Sequence, residues 1–156
     1  GVVETLKINK LRIGTAESCT CGLLSAAITE VPGSSAVFYG GICAYSNHIK
    51  TKILDIPENI LQEMGAVSKE VAMLMATNVR KVLDVDIGIG ITGIAGPDGG
   101  SIDKPVGTVW VGISDAVSSH TKLLSLHGTR RQIRFATIEH VFIELKSFLN
   151  HKLSDI

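Results

Sequence analysis

Apolar and glycine positions along the chain divide it into alternating strands and helices. A short apolar run predicts a strand over residues 11–16, and apolar residues at helical spacing predict a helix over residues 23–31. Residues 37–45, rich in β-branched and aromatic side chains, predict a second strand, and a short helix is expected over residues 47–54. The chain is therefore expected to begin in the order strand, helix, strand, helix.

The clearest helical pattern begins after Ser68, whose side chain is typical of a helix N-cap. Its apolar residues recur at helical spacing: Val71, Ala72, Leu74, Met75, Val79, Val82 and Leu83. A last helix is predicted from about Arg130, with an apolar stripe formed by Ile138, Val141, Phe142, Leu145, Phe148 and Leu149. Each of these helices is expected to turn one apolar face to a core.

Three further strands are expected over residues 86–92, 106–113 and 120–126. Four glycines within residues 93–100 exclude a helix directly after the first of these strands. The alternation of strands and helices predicts an α/β fold. We expect a single three-layer α/β/α domain over residues 1–156, built around a mixed, mostly parallel sheet.

Charge and composition narrow the classes of partner. The chain has 156 residues, and 15 Lys and Arg residues balance 15 Asp and Glu residues. This balance argues against binding to nucleic acid or to an anionic membrane through bulk electrostatics. The first residues lack the pattern of a signal peptide, and no apolar run is long enough to span a membrane. We therefore expect a cytoplasmic domain whose ligand is a small molecule.

The cysteines and histidines do not suggest a metal site. Cys19, Cys21 and Cys43 form an odd set without a CxxC pair, which does not suit a disulfide framework or a zinc site. The five histidines show no metal-ligand spacing. The sequence thus predicts a reducing environment, no metal and no other cofactor.

Ligands of open α/β sheets bind where strands end, which makes two segments candidate sites. After the first strand, Ser18, Cys19 and Thr20 place two hydroxyls and a thiol at the start of a helix, whose free N–H groups stabilise an anion. Helix capping by Ser18 or Thr20 is the alternative explanation. Farther along, Lys50 follows Tyr45 between a strand and a helix. A lysine buried there acts as a base because burial lowers its pKa, whereas an exposed lysine is only a solvated cation.

The second segment is the glycine-rich loop after Thr92. Its backbone amides, with Gly93 and Gly96 as flexible points, can surround a phosphate or a carboxylate, although a tight connection explains the glycines as well. The loop lacks the residues of a P-loop and the spacing of a dinucleotide fingerprint. Lys104 at its end offers a cation or is simply a surface lysine.

Arginines at the predicted start of the last helix are a third feature. Cations there oppose the helix dipole, so helix stability does not explain Arg130, Arg131 and Arg134. Arg130 and Arg134, four residues apart, are expected to share a face, and an anionic ligand would account for them. Solvated surface charge is the alternative.

Several motifs in one order resemble those of the CinA C-terminal domain family, and the likeness covers nearly the whole chain. The segments that carry it are Ala-Glu-Ser-Cys-Thr at 16–20, Pro-Gly-Ser-Ser at 32–35, Tyr-Ser-Asn at 45–47 followed by Lys50, Gly-Ala-Val-Ser at 65–68, Thr-Gly-Ile-Ala-Gly-Pro at 92–97, Lys-Pro-Val-Gly-Thr at 104–108 and the arginines of the last helix. The family includes bacterial nicotinamide mononucleotide amidases.

The resemblance implies metal-independent hydrolysis of the carboxamide of nicotinamide mononucleotide to nicotinic acid mononucleotide and ammonia, in pyridine nucleotide recycling. It implies that Ser18 is the nucleophile and Lys50 its base, with Tyr45 and Thr92 also in the catalytic group. Residues expected to contact the substrate are Cys19, Thr20, Gly93, Gly96, Lys104, Arg130 and Arg134. A homodimer or larger homo-oligomer is also expected from the resemblance.

The sequence departs from the family pattern at two positions. Cys21 stands where the family usually has glycine, and a positive φ there would strain a cysteine. Thr129 replaces the acid that usually precedes Arg130. Two alternatives to a serine amidase therefore stay open: a catalytically impaired nucleotide-binding or regulatory module of the same fold, and an amidase that depends on Cys19.

Overall fold

The computed structural model describes residues 1–154, and the last two residues of the predicted domain, 155–156, lie outside the described residues. Six helices and five strands follow one another in this part of the chain: α1 Val2–Ile8, β1 Ile13–Glu17, α2 Leu23–Thr29, β2 Phe38–Cys43, α3 Asn47–Leu54, α4 Glu58–Met64, α5 Lys69–Val82, β3 Ile87–Gly93, β4 Thr108–Ser114, β5 Ser119–Ser125 and α6 Arg130–Ser154. A 3₁₀ turn, Ser34–Ala36, lies between α2 and β2.

The strands form one sheet in the order β2-β1-β3-β4-β5. β1 pairs in parallel with both β2 and β3, whereas β4 is antiparallel to β3 and to β5. Four of the five strands therefore run in the same direction, and only β4 is reversed. The mixed, mostly parallel α/β sheet predicted from the sequence is confirmed.

Helices cover both faces of the sheet, as expected for three layers. On one face, Ile87, Ile89 and Ile91 of β3 pack into a core with α1, α2 and α6. On the other face, a second core joins the sheet to α3, α4 and α5: Ala16, Ala44, Leu54, Ile56, Leu61, Val71, Met75 and Val79. Each helix turns its apolar stripe inward, which stabilises the sheet from both sides.

Glycines in β3 alternate with the isoleucines and let α5 lie very close to the sheet. A Cβ atom on Gly90 would lie 2.6 Å from the carbonyl oxygen of Ala72 and 2.7 Å from the backbone nitrogen of Ala76. On Gly88 a Cβ atom would likewise collide with the backbone of Ala76. The close approach of α5 therefore requires glycine at these positions.

Two helices were not predicted from the sequence. α1 and α4 have only seven residues each, which is too short for a helical period to stand out. Pro57, a residue that usually interrupts regular structure, is here the N-cap of α4. The predicted helix over residues 47–54 coincides with α3, and Ser68 is the N-cap of α5 because its Oγ accepts a hydrogen bond from the backbone N–H of Val71.

None of the helices within residues 1–154 is both long and apolar enough to cross a membrane.

Candidate active site

The candidate site lies where the carboxyl ends of β1 and β3 meet. The two strands are parallel neighbours, and Glu17 at the end of β1 is paired with Ile91. Ser18 follows β1 directly, and its backbone N–H donates to the carbonyl oxygen of Ile91 at 2.9 Å. This register brings Ser18 and Thr92 to the same edge of the sheet. We call residues 18–22, which lead into α2, the β1–α2 turn.

A buried carboxylate organises this turn. One oxygen of Glu17 accepts hydrogen bonds from Thr20 Oγ1 at 2.7 Å and from the backbone N–H of Leu24 at 2.8 Å. The other accepts from the hydroxyl and the backbone N–H of Ser25, at 2.8 and 3.1 Å. Glu17 therefore caps α2 from the end of a strand, and these first helical N–H groups are occupied.

Lys50 reaches the same point from α3 on the other side of the sheet. The side chain of Ser46 caps α3, and Lys50 follows one turn later with only 1% of its surface exposed. Its Nζ lies 2.9 Å from Ser18 Oγ and donates to the carbonyl oxygen of Tyr45 at 3.0 Å. The structure thus places Ser18 and Lys50 in direct contact.

The surroundings of Lys50 favour its neutral form. Burial penalises the ammonium ion and lowers the pKa of Lys50 from its ordinary value, while the nearby Cys19 acts in the opposite direction. In the described residues no carboxylate forms an ion pair with Lys50. A buried lysine with a lowered pKa, hydrogen-bonded to a serine hydroxyl, has the arrangement of a general base and its nucleophile.

Arg130 joins three parts of the site. It begins α6, and its Nη1 donates to the carbonyl oxygen of Gly96 at 2.7 Å, while its Nη2 donates to the Tyr45 hydroxyl at 3.1 Å. Thr129 caps this helix, since its Oγ1 accepts from the backbone N–H of Gln132 and its own N–H donates to the Gln132 side chain. The residue that replaces the family's acid therefore fixes the start of α6 and with it Arg130.

The end of β3 and the glycine-rich loop close the other side. Thr92 is buried, and its hydroxyl donates to the carbonyl oxygen of Ala66 at 2.8 Å. A Cβ atom on Gly93 would lie 3.1 Å from Cys19 Sγ, so a larger residue would fill the space beside the thiol. Gly96 has a φ of +83°, a conformation that glycine adopts without strain.

Together these elements enclose an open cleft of about 300 Å³. It is lined by Ser18, Cys19, Tyr45, Asn47, Lys50, Ala66, Val67, Thr92, Gly93, Ile94, Ala95, Gly96, Asp98, Gly99 and Arg130. The structure thus gathers all four predicted catalytic residues, and Cys19, Gly93, Gly96 and Arg130 of the predicted contact residues, around one cleft.

Three of the predicted contact residues do not line the cleft. Thr20 is fully buried, and its hydroxyl donates to Glu17. Lys104 extends its Nζ to the carbonyl oxygen of Met64 at 2.7 Å. Arg134 donates to two carbonyl oxygens of the β1–α2 turn. Sequence spacing indicated that these residues are near the site, but it could not show that their polar groups are used within the protein.

The thiol of Cys19 is buried in the cleft wall. Burial is the main cause that raises its pKa to about 11, although Arg134 and Lys50 act in the opposite direction. The thiol is therefore protonated near neutral pH, and a protonated thiol is a poor nucleophile. This observation disfavours an amidase that depends on Cys19.

Cys21 occupies a strained position in the β1–α2 turn. Its φ is +41°, in the left-handed region that a residue with a Cβ atom adopts at a cost of roughly 1–2 kcal/mol. Gly22 follows with a φ of +99°, so the turn needs two such residues in succession. The Cys21 thiol is exposed. Burial, together with the interaction with Cys21, raises the pKa of Cys43.

Sequence reasoning missed three residues that shape the site. Glu17 has no predicted role, although a charged residue that ends a buried strand is a signal for a structural or catalytic role. Asn47 and Asp98 line the cleft and were not predicted to do so. Asn47 belongs to the Tyr-Ser-Asn motif at 45–47, which was a signal for it, whereas no motif singles out Asp98.

Comparison with known proteins agrees with this fold. The family model of the CinA C-terminal domain matches residues 1–149. A putative competence-damage inducible protein from Desulforudis audaxviator is 44% identical over 142 residues, which cover 91% of this chain and 34% of that protein. A CinA-like protein from Geotalea uraniireducens is 50% identical over 125 residues, which cover 80% of this chain and 30% of that protein. The chain thus spans about a third of the length of these relatives.

Solved structures of the same superfamily have the same fold. A CinA superfamily protein from Klebsiella pneumoniae superposes with a TM-score of 0.92 at 29% identity and covers 96% of this chain and 94% of its own. A competence/damage inducible protein from Agrobacterium tumefaciens gives a TM-score of 0.88 at 34% identity, over 93% of this chain and 91% of its own. This chain belongs to the CinA C-terminal domain family.

Proposed function

We propose that this domain hydrolyses the carboxamide of nicotinamide mononucleotide to nicotinic acid mononucleotide and ammonia, with Ser18 as nucleophile and Lys50 as base. The observation that carries the proposal is the 2.9 Å contact between Ser18 Oγ and the buried Nζ of Lys50. Membership of the CinA family and the cleft that contains both residues support it. The products place the reaction in the recycling of pyridine nucleotides.

In the proposed reaction, neutral Lys50 takes the hydroxyl proton of Ser18 as Ser18 Oγ bonds to the carboxamide carbon. The cationic pyridinium ring already makes that carbon electron-poor. The tetrahedral intermediate then breaks its C–N bond, and the leaving nitrogen takes the proton from Lys50 and departs as ammonia. Water, deprotonated by Lys50, attacks the carbonyl carbon of the resulting ester. The bond from that carbon to Ser18 Oγ then breaks, Oγ takes the proton back from Lys50, and nicotinic acid mononucleotide leaves.

The oxyanion needs donors other than the helical N–H groups of α2, because Glu17 occupies those of Leu24 and Ser25. Within the described residues, the backbone N–H of Cys19 donates to no other residue, and Cys19 lines the cleft directly after the nucleophile. Thr20 is fully buried away from the cleft and is not available as a donor. In a well-studied serine hydrolase, one such donor is worth about 2.7–4 kcal/mol of transition-state stabilisation.

The substrate phosphate is expected near Arg130 and the glycine-rich loop. Arg130 lines the cleft, and both of its hydrogen-bond acceptors are neutral, so its charge is not balanced by a carboxylate in the described part of the chain. The loop also carries backbone N–H groups without acceptors there, at Ala95, Gly96 and Gly99. A guanidinium beside free backbone N–H groups suits a phosphate.

A nucleotide-binding or regulatory module without catalysis is the second candidate function. The strained φ of Cys21, two residues from Cys19 in the turn that would hold the oxyanion, favours it. Such a module would bind nicotinamide mononucleotide without releasing ammonia. Turnover restored by Cys21→Gly in an inactive chain would assign the loss to this position.

The test is ammonia release from nicotinamide mononucleotide by the purified domain, with and without a chelator. Ser18→Ala is expected to abolish release, whereas Ser34→Ala should retain it, since Ser34 is equally buried, at 6% against 7% exposure, but does not line the cleft. Release that survives chelation supports metal-free hydrolysis. Release retained by a folded Ser18→Ala variant would overturn the proposed mechanism.

Assembly, cofactor use and location are predictions of the same proposal. We expect a homodimer or larger homo-oligomer, a small-molecule nucleotide as the ligand, no nucleic-acid or membrane partner, no cofactor and a cytoplasmic setting. Light scattering of the purified domain measures its oligomeric state directly.

A further inference from the structure

Two exposed thiols meet beside the turn that follows the nucleophile. Cys21 lies in the β1–α2 turn, and Cys43 is the last residue of β2. The parallel pairing of β1 with β2 sets Cys43 opposite Glu17. Both thiols are exposed, and the side chain of Cys21 interacts with that of Cys43. The fold therefore brings together two thiols that are distant in sequence.

The packing of β2 beside α2 points Cys43 towards this turn. Gly41 and Cys43, two residues apart on the strand, share a face of the sheet. A Cβ atom on Gly41 would collide with the hydroxyl of Ser25 in α2. Farther along the same face, a Cβ atom on Gly22, the neighbour of Cys21, would lie 3.7 Å from Cys43 Sγ. The Cys43 thiol therefore lies over the turn, beside Cys21.

Packing does not explain a cysteine at position 21. Its φ of +41° strains a residue with a Cβ atom, and its side chain is exposed, so no buried contact offsets the strain. Strained positions of this kind are concentrated where a residue has a function. The third cysteine differs, because Cys19 is buried and its pKa is raised to about 11. Cys21 and Cys43 are thus the two thiols open to solution chemistry.

We propose that Cys21 and Cys43 form an oxidation site, which a small-molecule disulfide such as oxidised glutathione converts to an intramolecular disulfide and which reducing thiols restore. The new bond ties the β1–α2 turn to the end of β2. It lowers turnover in the cleft, and this effect rests on the proposed amidase function. Formation of the disulfide does not depend on that function.

The chemistry consists of two thiol–disulfide exchanges. The thiolate of Cys21 attacks one sulfur of oxidised glutathione, whose S–S bond breaks and releases one glutathione thiolate. The thiolate of Cys43 then attacks the Cys21 sulfur, the bond to the bound glutathione breaks, and the second glutathione thiolate leaves. Each departing thiolate takes up a proton that a cysteine has lost. Two protein thiols are oxidised, and one disulfide is reduced to two thiols.

The order of the two steps follows from the surroundings of Cys43. Burial and the interaction with Cys21 raise the pKa of Cys43, so a smaller fraction of this thiol is in the reactive thiolate form. The second step is intramolecular, and proximity there offsets a small thiolate fraction. We therefore assign the first attack to Cys21 and the closing attack to Cys43.

The disulfide would act on both partners of the proposed reaction. The N–H of Cys21 donates to the carbonyl oxygen of Ser18 at 3.2 Å. Cys43 lies two residues before Tyr45, whose carbonyl oxygen accepts from Lys50 at 3.0 Å. Bonded sulfurs lie only about 2 Å apart, so forming the bond draws the turn and the end of β2 together. A displacement of about 1 Å at reacting groups costs about 100-fold in rate.

Peptide mapping of the purified domain in glutathione buffers tests the site without reference to activity. Cleavage after Glu17 and Glu30 places Cys21 and Cys43 in separate peptides, which only a disulfide then holds together. In oxidised glutathione we expect these linked peptides in wild type, with Cys19 still free, and their separation by dithiothreitol. Absence of the linked peptides, or a link through Cys19, would overturn the proposal.

Variants test the order of the two exchanges. Cys19→Ala should form the same linked peptides, because the buried thiol takes no part. Cys43→Ala should instead keep one glutathione on Cys21, because no second thiol remains to displace it. A Cys43→Ala chain that carries no glutathione under conditions that link wild type would overturn the first attack by Cys21.

Ammonia release from nicotinamide mononucleotide tests the effect on turnover. In linked wild type we expect kcat to fall about 100-fold and to return with dithiothreitol. A double variant, Cys21→Ala with Cys43→Ala, should release ammonia equally before and after the same treatment. Equal kcat of the linked and reduced wild type would overturn the effect on turnover. If the reduced wild type releases no ammonia, the amidase function fails, and the linked peptides alone decide the oxidation site.

Discussion

Replacing Lys50 by methionine tests the base directly, because methionine keeps an unbranched apolar side chain and removes the amine. The Nζ of Lys50 contacts Ser18 Oγ at 2.9 Å and the Tyr45 carbonyl oxygen at 3.0 Å. General-base catalysis contributes roughly 10²–10⁴-fold to rate, so kcat should fall by about that factor. KM should change little, since Lys50 is only 1% exposed in the cleft wall.

The same substitution should change how stability depends on pH. Burial lowers the pKa of Lys50 in the folded chain, so between that pKa and the ordinary value of 10.5 the unfolded chain binds more protons than the folded one. The free energy of unfolding therefore rises with pH across this window, by about 1.4 kcal/mol per pH unit. Below the window, wild-type Lys50 is protonated in both states and its burial costs stability. Lys50→Met should remove the rise and be more stable than wild type at low pH.

The assays are the pH profile of kcat/KM and urea unfolding across the neutral and alkaline range. In wild type, kcat/KM should rise as Lys50 loses its proton and then level off. Lys52→Met is the matched control, because Lys52 is exposed on the same helix and should leave both profiles unchanged. A Lys50→Met variant whose kcat lies within about threefold of wild type, or whose unfolding retains the full pH-dependent rise, would refute the assignment of Lys50 as a buried base.

Three further predictions concern the turn and the packing of the sheet. Cys21→Gly removes the strain of a Cβ atom at a φ of +41°, so in urea unfolding it should be more stable than Cys21→Ala by up to about 1 kcal/mol. Equal stabilities of the two variants would argue against strain. Cys19, with a pKa of about 11, should react with iodoacetamide more slowly than the exposed Cys21, as peptide mass spectrometry would show, and equal rates would contradict its burial. Gly90→Ala should lower the free energy of unfolding by about 1–3 kcal/mol, because its Cβ atom would lie 2.6 Å from the Ala72 carbonyl oxygen. Gly40→Ala is the control, since the atom nearest to its Cβ would lie at 3.9 Å. Equal stabilities of the two variants in urea unfolding would contradict the close approach of α5.

Long, strongly patterned elements could be predicted from the sequence, and short ones could not. The period of α5 and the alternation of isoleucine and glycine in β3 reflect burial along a whole element. α1 and α4 span about two turns, and their stability comes from packing against the rest of the chain rather than from local pattern. The order of the strands in the sheet could not be predicted from the sequence either, since it depends on contacts between distant segments.

The position of the site could be predicted from the sequence, but most contacts of its side chains could not. Ser18 follows β1, and Thr92 lies near the end of the neighbouring parallel strand β3, so their meeting follows from fold class. The contact of Lys50 with Ser18 required the packing of α3 and came from the family resemblance. The acceptors of Lys104 and Arg134 are backbone carbonyls of other segments, which no sequence spacing reveals.

The location of the acyl group during turnover tests the central claim most directly. The domain is mixed with nicotinamide mononucleotide, quenched in acid within the first turnover and mapped by peptide mass spectrometry. The account predicts an ester of nicotinic acid mononucleotide on Ser18, absent from Ser18→Ala, which should release no ammonia. An acyl group on Cys19, or ammonia released at the wild-type rate by Ser18→Ala, would contradict it.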